Sequence, residues 1–182
     1  METIYSFDFS VLNWIQENMR CDFLDSLAVF LTNATTYGII WIVLGIILIF
    51  FRKTRVAGIM VLMALALAFL SGDVLLKHIV NRPRPFIENP GVTLLIKPPT
   101  GSSFPSTHTA LVSAVTTVLL AKKRSIGLIV LLLGICIAFS RLYLYVHFPT
   151  DVFCGMLLGI LCGVIVILFA KAVKLDRLSA RK

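Results

Sequence analysis

Three short segments of this chain carry basic and imidazole side chains at spacings that suit the chemistry of a phosphate group. They read Lys77-x6-Arg84-Pro85, then Pro105-Ser106-Thr107-His108, then Ser140-Arg141-x5-His147-x3-Asp151. Each segment adjoins a long apolar run, and a charged side chain at the centre of a membrane helix costs about 2.5–3.5 kcal/mol. Such a set of residues therefore indicates a site, because two histidines, a carboxylate and several cations are groups that bind and transfer a phosphate.

His147 is the candidate nucleophile, since an imidazole nitrogen can attack phosphorus and form a covalent phosphohistidine. Asp151 follows four residues later and is expected to accept a hydrogen bond from the other ring nitrogen, which would orient the imidazole. Pro149 disfavours the α conformation at the residue before it, so we expect it to open a helix with Asp151 in the first turn. His108 is the candidate proton donor to the leaving group.

The remaining motif residues are candidates for phosphate binding. Lys77, Arg84 and Arg141 can form an electrostatic clamp on the phosphate oxygens. Arg82 also precedes a proline and could substitute for Arg84. Asp73 lies four residues before Lys77 on the same helix face and is expected to support it.

The start of the predicted helix at Pro105–His108 offers a second kind of phosphate contact. Ser106 is a favourable N-cap residue. The free backbone N–H groups of a helix N-terminus bind anions, so Ser106 and Thr107 are expected to hold phosphate oxygens. Ser140 is expected to support Arg141 from the adjacent position.

The composition indicates an integral membrane protein. Of 182 residues, 58% are hydrophobic and only 14% are charged, against roughly 25% charged in soluble domains. The net charge of +8 is therefore interpreted as a signal of membrane orientation, and no nucleic-acid partner is expected. The four cysteines show no metal-binding spacing, and Asp151 is the only acidic residue in the core motifs, so we expect neither a metal nor another cofactor.

The apolar runs predict an all-α membrane bundle of five to six helices. The five candidate spans cover about 24–51, 56–80, 106–121, 125–145 and 150–173. The first is interrupted by the polar stretch 32–36, so a half-helix followed by a span is possible there. Residues 9–20 predict an amphipathic helix on the membrane surface, and 81–104 form a long Pro- and Gly-rich loop. We expect a single domain over 1–182 with its motif core at about 56–170.

The last four spans alternate in direction, so the motif-bearing ends should meet at one membrane face. The opposite face carries eleven of the seventeen Lys and Arg residues, namely Arg52, Lys53, Arg55, Lys122, Lys123, Arg124, Lys171, Lys174, Arg177, Arg181 and Lys182. By the positive-inside rule that face is cytoplasmic. The prediction is a plasma-membrane protein, of bacterial type, with an extracytoplasmic site, its N-terminus outside and its C-terminus in the cytoplasm.

The three motifs resemble those of the type-2 phosphatidic acid phosphatase superfamily, K-x6-RP, PSGH and SR-x5-H-x3-D, over about residues 56–170. The resemblance implies that His147 is the nucleophile, His108 the general acid and Asp151 the orienting carboxylate. It also implies phosphate binding by Lys77, Arg84, Ser106 and Arg141. One position departs from the pattern, because Thr107 stands where the family usually has glycine. The short chain looks similar to the bacterial undecaprenyl-diphosphate phosphatases of that superfamily.

The expected function is therefore that of a metal-independent lipid phosphate or diphosphate phosphatase that acts through a phosphohistidine, with membrane lipids around it and a lipid phosphate as substrate. Undecaprenyl diphosphate is the favoured substrate, and phosphatidylglycerol phosphate and phosphatidic acid are alternatives. A non-enzymatic lipid-phosphate binder or transporter would use the same cations, but transporters tend to contain inverted repeats, and none is visible. Oxidation with bound vanadate is disfavoured by the membrane spans. The loop 86–104 is expected to shape substrate choice, and the sequence does not predict an oligomeric state.

Overall fold

The computed structural model describes residues 2–175 (the backbone only at residues 2 and 37), which form helices and connecting loops. The helices are α1 Glu2–Asn18, α2 Asp22–Ala34, α3 Ile39–Phe50, α4 Arg55–Phe69, α5 Lys77–Val80, α6 Pro85–Glu88, α7 Thr107–Lys122, α8 Arg124–Tyr143 and α9 Pro149–Ala172. A π-helical segment, Leu70–Leu76, joins α4 to α5. The predicted all-α membrane bundle is confirmed. Arg177, Arg181 and Lys182 of the predicted cytoplasmic set lie outside the described residues.

The predicted spans map onto these helices with two differences. Among the described residues, three helical stretches are long and apolar enough to cross a membrane, Arg55–Glu88, Arg124–Tyr143 and Pro149–Ala172. The first predicted span is broken into α2 and α3, which meet at 57° and together make a fourth candidate. The predicted span at 106–121 is α7, whose 16 residues fall short of the roughly 20 that cross a bilayer.

The short helix α7 lies at the centre of the bundle, where it packs against α4, α8 and α9. Nine of its residues are buried, and most are Ala, Val or Thr. Large apolar side chains on α8 and α9, such as Leu132 and Phe153, are exposed on the outside. An apolar exterior is the surface that a bilayer requires, whereas α7 is covered by its neighbouring helices.

Glycines allow α9 to approach α7 closely. A Cβ atom at Gly155 would lie 2.6 Å from the Ser106 carbonyl oxygen, and one at Gly159 would collide with the Ala110 carbonyl oxygen. Small residues at this spacing bring membrane helices into backbone contact. As a result the first turns of both helices lie side by side, and the Ser106 N–H donates to the Asp151 carbonyl at 3.1 Å.

We expect Gly159→Ala to destabilise the fold by about 1–3 kcal/mol, because the backbone oxygen facing it moves only if the helices separate. Thermal unfolding of the purified protein in detergent measures this loss. Gly91→Ala is the matched control, since a Cβ there makes only an ordinary contact at 3.6 Å from Asn89 Oδ1. Equal stability of the two variants would contradict the proposed helix contact.

The N-terminal helix α1 begins at Glu2, earlier than the predicted 9–20 segment. Its buried face consists of Asp8, Leu12 and Ile15, which are spaced as one side of a helix. This face packs on the segment that joins α8 to α9, where Leu12 meets Phe148 in one cluster and Ile15 joins a second. The helix is therefore attached to the part of the chain that carries His147.

Candidate active site

A cavity of about 680 Å³ lies where α5, the start of α7 and the end of α8 meet. Seven of the residues selected from the sequence line it, namely Asp73, Lys77, Arg84, Thr107, His108, Arg141 and His147. The other walls come from α2 and from the loop segment 96–100. The structure therefore brings the three motifs together at one end of the bundle, as the alternating spans predicted.

The His147 imidazole is buried beside the cavity, with a hydrogen bond at each nitrogen. Nδ1 lies 2.7 Å from the Ser103 carbonyl oxygen, so the proton is assigned to Nδ1, which donates to that oxygen. Nε2 is then unprotonated and lies 3.4 Å from Arg84 Nη1. Burial lowers the pKa of His147 to about 3, against the opposing effect of Asp151. The imidazole is therefore neutral near pH 7, which is the form that can attack phosphorus.

Asp151 lies beside this imidazole but beyond hydrogen-bond distance. Its Oδ2 is 3.7 Å from His147 Nδ1 and accepts the Phe148 N–H at 2.9 Å. The sequence predicted Asp151 as the acceptor for the ring, whereas the structure gives that position to the Ser103 carbonyl. Pro149 opens α9 as expected, with Asp151 in its first turn. The carboxylate is thus held where it can stabilise positive charge that develops on the ring.

The two Arg-Pro arginines point in different directions. Arg84 is 4% exposed and lines the cavity, with its guanidinium held by the Gly101 and Val146 carbonyls at 3.0 Å each. Arg82 is not among the residues that line the cavity, and it pairs with Asp151 at 2.7 Å. The preference for Arg84 over Arg82 as the cavity residue agrees with this arrangement. Fixed carbonyl partners hold the Arg84 guanidinium in place before any ligand arrives, which is the preorganisation that charge stabilisation needs.

Arg141 and His108 present polar atoms that the described part of the protein does not satisfy. Arg141 Nη1 donates to Thr32 Oγ1 at 2.5 Å, but its Nε is buried without a hydrogen-bond partner, and so is His108 Nε2. Leaving such a group unpaired costs about 1–3 kcal/mol. Both residues line the same cavity, so an oxygen-rich ligand bound there is the natural partner for these atoms.

Thr107, which replaces the glycine of the related motif, is part of the cavity wall. Its hydroxyl donates to Asp73 Oδ1 at 2.6 Å, and the same carboxylate forms a short ion pair with Lys77. Thr107 is the first residue of α7 and is not among the residues with positive φ, so a β-branched side chain fits. Its hydroxyl orders the Asp73–Lys77 pair, and its backbone N–H belongs to the free first turn of α7.

Removing only this hydroxyl tests its contribution. We expect Thr107→Val to lower kcat/KM by about tenfold, which corresponds to about 1.4 kcal/mol, because Asp73 loses a donor and Lys77 loses its fixed position. Thr107→Ser keeps the hydroxyl and should stay within about twofold of the wild type. Steady-state phosphate release from a lipid phosphate measures both, and wild-type kinetics in the Val variant would contradict the assignment.

Two of the predicted serines lie behind the cavity wall. Ser106 is fully buried; it is the N-cap residue of α7 by position, but its hydroxyl bonds Thr109 Oγ1 at 3.0 Å instead of a backbone N–H. Ser140 Oγ donates to the Ile137 carbonyl at 2.7 Å. Ser106 therefore contributes to the contact between α7 and α9. The sequence analysis had instead predicted that it holds phosphate directly.

Sequence reasoning missed Thr32, Ser103 and Asp8. Thr32 accepts a hydrogen bond from Arg141. The only feature of the sequence that pointed to Thr32 was the polar interruption of an apolar run at 32–36. Ser103 acts through its backbone carbonyl, which any residue type would supply. Asp8 is fully buried and pairs with Arg82 at 2.7 Å. These residues bring α1, α2 and the loop before α7 into contact with the motif residues.

The fold and cavity together define an integral membrane helix bundle with a cavity lined by two histidines and by the fixed cations Lys77, Arg84 and Arg141. Residues 55–174 match the PAP2 superfamily. The chain belongs to that superfamily, and the family resemblance of the three motifs is thereby confirmed.

Similar proteins agree with this membership. An undecaprenyl-diphosphatase of Sulfolobus acidocaldarius is 36% identical over 141 residues, which are 75% of this chain and 66% of the relative, so the chain spans slightly less than two thirds of that protein. The crystal structure of Aquifex aeolicus LpxE has 33% identity and a TM-score of 0.76, covering 88% of this chain and 94% of its own. A PAP2-type phosphatidylglycerolphosphate phosphatase of Bacillus subtilis, 23% identical, shares the fold with a TM-score of 0.77 over 95% of this chain and 89% of its own.

Proposed function

We propose that this protein hydrolyses lipid phosphates and diphosphates through a phosphohistidine at His147. The observation that carries the proposal is the neutral Nε2 of His147 in a cavity shared with His108, Arg84 and Arg141. A nucleophile without its own proton, beside fixed cations, is the arrangement that phosphoryl transfer requires.

In the first step His147 Nε2 forms a bond to phosphorus while the bond from phosphorus to the leaving oxygen breaks. Arg84, Arg141 and Lys77 stabilise the charge on the phosphoryl oxygens in the transition state. The His108 imidazolium gives its proton to the leaving oxygen, and the bound phosphate supplies the negative charge that favours this protonated form. Asp151 stabilises the positive charge that forms on the His147 ring.

In the second step water attacks the phosphorus of the phosphohistidine and the bond to Nε2 breaks. The neutral His108 produced by the first step accepts a proton from that water. Inorganic phosphate leaves, and His147 returns to its neutral state. The donor set of imidazoles and cations, in place of clustered carboxylates, is the reason for proposing that the reaction needs no metal ion.

An apolar groove of about 370 Å³ adjoins the cavity, with Phe69 and Leu111 lining both. It runs between α3 and α4 along Ile42 and Leu65. A phosphate carried on a hydrocarbon chain matches this combination of basic cavity and apolar groove. Undecaprenyl diphosphate is our proposed substrate, and two observations support it: the Sulfolobus acidocaldarius relative carries that name, and Lys97 on the loop wall offers a further cation for a second phosphate.

We further propose that the cavity faces the extracytoplasmic side of the plasma membrane. The basic turns between α3 and α4 (Arg52, Lys53) and between α7 and α8 (Lys123, Arg124) lie at the opposite ends of the helices from the cavity. Positive charge at helix ends marks the cytoplasmic side. Labelling of single-cysteine variants in intact cells tests this orientation.

A substrate panel on the purified protein tests the activity. Undecaprenyl diphosphate, phosphatidylglycerol phosphate and phosphatidic acid are compared with and without a chelator, and inorganic phosphate is measured. We expect release that the chelator does not reduce and that is fastest with the diphosphate. Absence of release from every lipid would overturn the proposed function, and loss of release with chelator would overturn its metal independence.

A further inference from the structure

The N-terminal helix α1 carries a carboxylate that is entirely buried, Asp8. Its Oδ2 accepts hydrogen bonds from Arg82 Nη2 at 2.7 Å and Thr150 Oγ1 at 2.6 Å, and its Oδ1 accepts the Thr150 N–H at 3.1 Å. A buried charge is tolerated only where it is paired and hydrogen-bonded. Asp8 lies outside residues 55–174, the part that matches the superfamily, so α1 adds a charged partner that the three motifs do not contain.

Arg82 links this carboxylate to the nucleophile. Its Nη1 donates to Asp151 Oδ1 at 2.7 Å, and the other oxygen of Asp151 lies beside His147 Nδ1. The guanidinium stacks on the rings of Phe148 and Tyr5, 4.0 and 4.7 Å from their centroids. Arg82 is thus fixed between two carboxylates, one on α1 and one in the first turn of α9.

This arrangement has an electrostatic consequence for the nucleophile. One guanidinium charge is shared between Asp8 and Asp151, so Asp151 keeps negative charge to direct at His147. Without Asp8, the positive charge of Arg82 would interact with Asp151 alone and would neutralise more of its negative charge. Charge interactions over a few ångströms are strong in a buried site. Asp8 also accepts the N–H of Thr150, the second residue of α9, and so holds the helix turn that carries Asp151.

We propose that Asp8 is a positioning residue for the phosphoryl transfer, acting through Arg82 and Thr150 to fix Asp151 and keep its charge available to His147. The inference rests on the proposed function. It gives α1 a part in the active site, in addition to the role as a membrane-surface helix that its sequence predicted.

The test compares Asp8→Asn, which removes the charge at nearly constant volume, with Asp8→Glu, which keeps it. We expect Asp8→Asn to lower kcat and the single-turnover rate of His147 phosphorylation by about 10–100-fold, with KM within about twofold. Asp8→Glu should recover a substantial part of the rate, although its extra methylene crowds a buried site. Rates are normalised to the folded fraction, so that loss of folded protein alone produces no change.

A coupling measurement separates positioning from a purely structural role. Because Asp8 acts through Arg82 as well as Thr150, Asp8→Asn should have a clearly smaller effect on the phosphorylation rate in an Arg82→Gln background than in the wild type. Glu17→Gln, which alters an exposed carboxylate on the same helix, should leave kcat unchanged. Wild-type kcat in Asp8→Asn, equal losses in the Asn and Glu variants, or additive effects with Arg82→Gln would each overturn the inference. These comparisons require an active wild-type protein. A wild type that is inactive on every lipid phosphate would overturn the proposed function instead.

Discussion

Replacing His147 with asparagine is expected to lower kcat by about 10⁴-fold or more, because the variant has no nitrogen that can form the covalent intermediate. An asparagine amide can still donate to the Ser103 carbonyl, so the surrounding loop should keep its conformation. Arg84, Arg141 and Lys77 are unchanged, and the variant should therefore still bind lipid phosphate. Phosphate release and equilibrium binding of a labelled lipid phosphate measure the two properties separately.

The third histidine of the chain supplies a matched control. His78 is exposed and its Nδ1 lies 2.8 Å from the Val74 carbonyl, outside the set of residues that line the cavity. His78→Asn makes the same chemical change and should leave kcat within about twofold of the wild type, as surface substitutions usually do. Substantial activity in His147→Asn would contradict the assignment, because it would mean that another group attacks the phosphorus.

Replacing His108 with asparagine is expected to slow the first step by an amount that depends on the leaving group. General acid catalysis contributes about 10²–10⁴-fold, and an alkoxide leaving group needs the proton far more than a phosphate does. We therefore expect the larger loss with phosphatidic acid and a clearly smaller one with undecaprenyl diphosphate. The measurement is the single-turnover release of the lipid product from each substrate.

Single-turnover conditions matter here because the later attack by water is the same reaction for both lipids. A loss of equal size with the two substrates would contradict proton donation by His108 to the leaving oxygen. An unchanged single-turnover rate with both substrates would show that His108 takes no part in the first step. His78→Asn again controls for loss of a histidine elsewhere in the chain.

The convergence of the motifs was predictable because membrane spans alternate in direction, which leaves few ways to arrange their ends. Residue spacing also predicted contacts and helix starts correctly where all the residues involved belong to one helical segment. Pro149 opens α9, and Asp73 pairs with Lys77 within one helical stretch. In each of these cases the residues are near in sequence or are constrained by a bilayer of fixed thickness.

The missed contacts join segments that are far apart in sequence, and their residue types carry no distinguishing signal. Asp8 pairs with Arg82, 74 positions away, and in the sequence it resembles any acidic residue of a surface helix. The acceptor for His147 is a backbone carbonyl. Thr107 was predicted to hold phosphate through its backbone N–H, and spacing alone did not place Asp73 beside its hydroxyl. Tertiary packing determined all three.

Trapping of the covalent intermediate tests the central claim most directly. The wild-type protein is mixed with a lipid that carries a labelled terminal phosphate, the reaction is stopped with alkali, and the protein is digested for peptide mapping. Label that is stable to alkali and labile to acid should appear on the peptide containing His147, and His147→Asn should carry none. Rapid phosphate release without protein-bound label, or label on a different residue, would contradict the account.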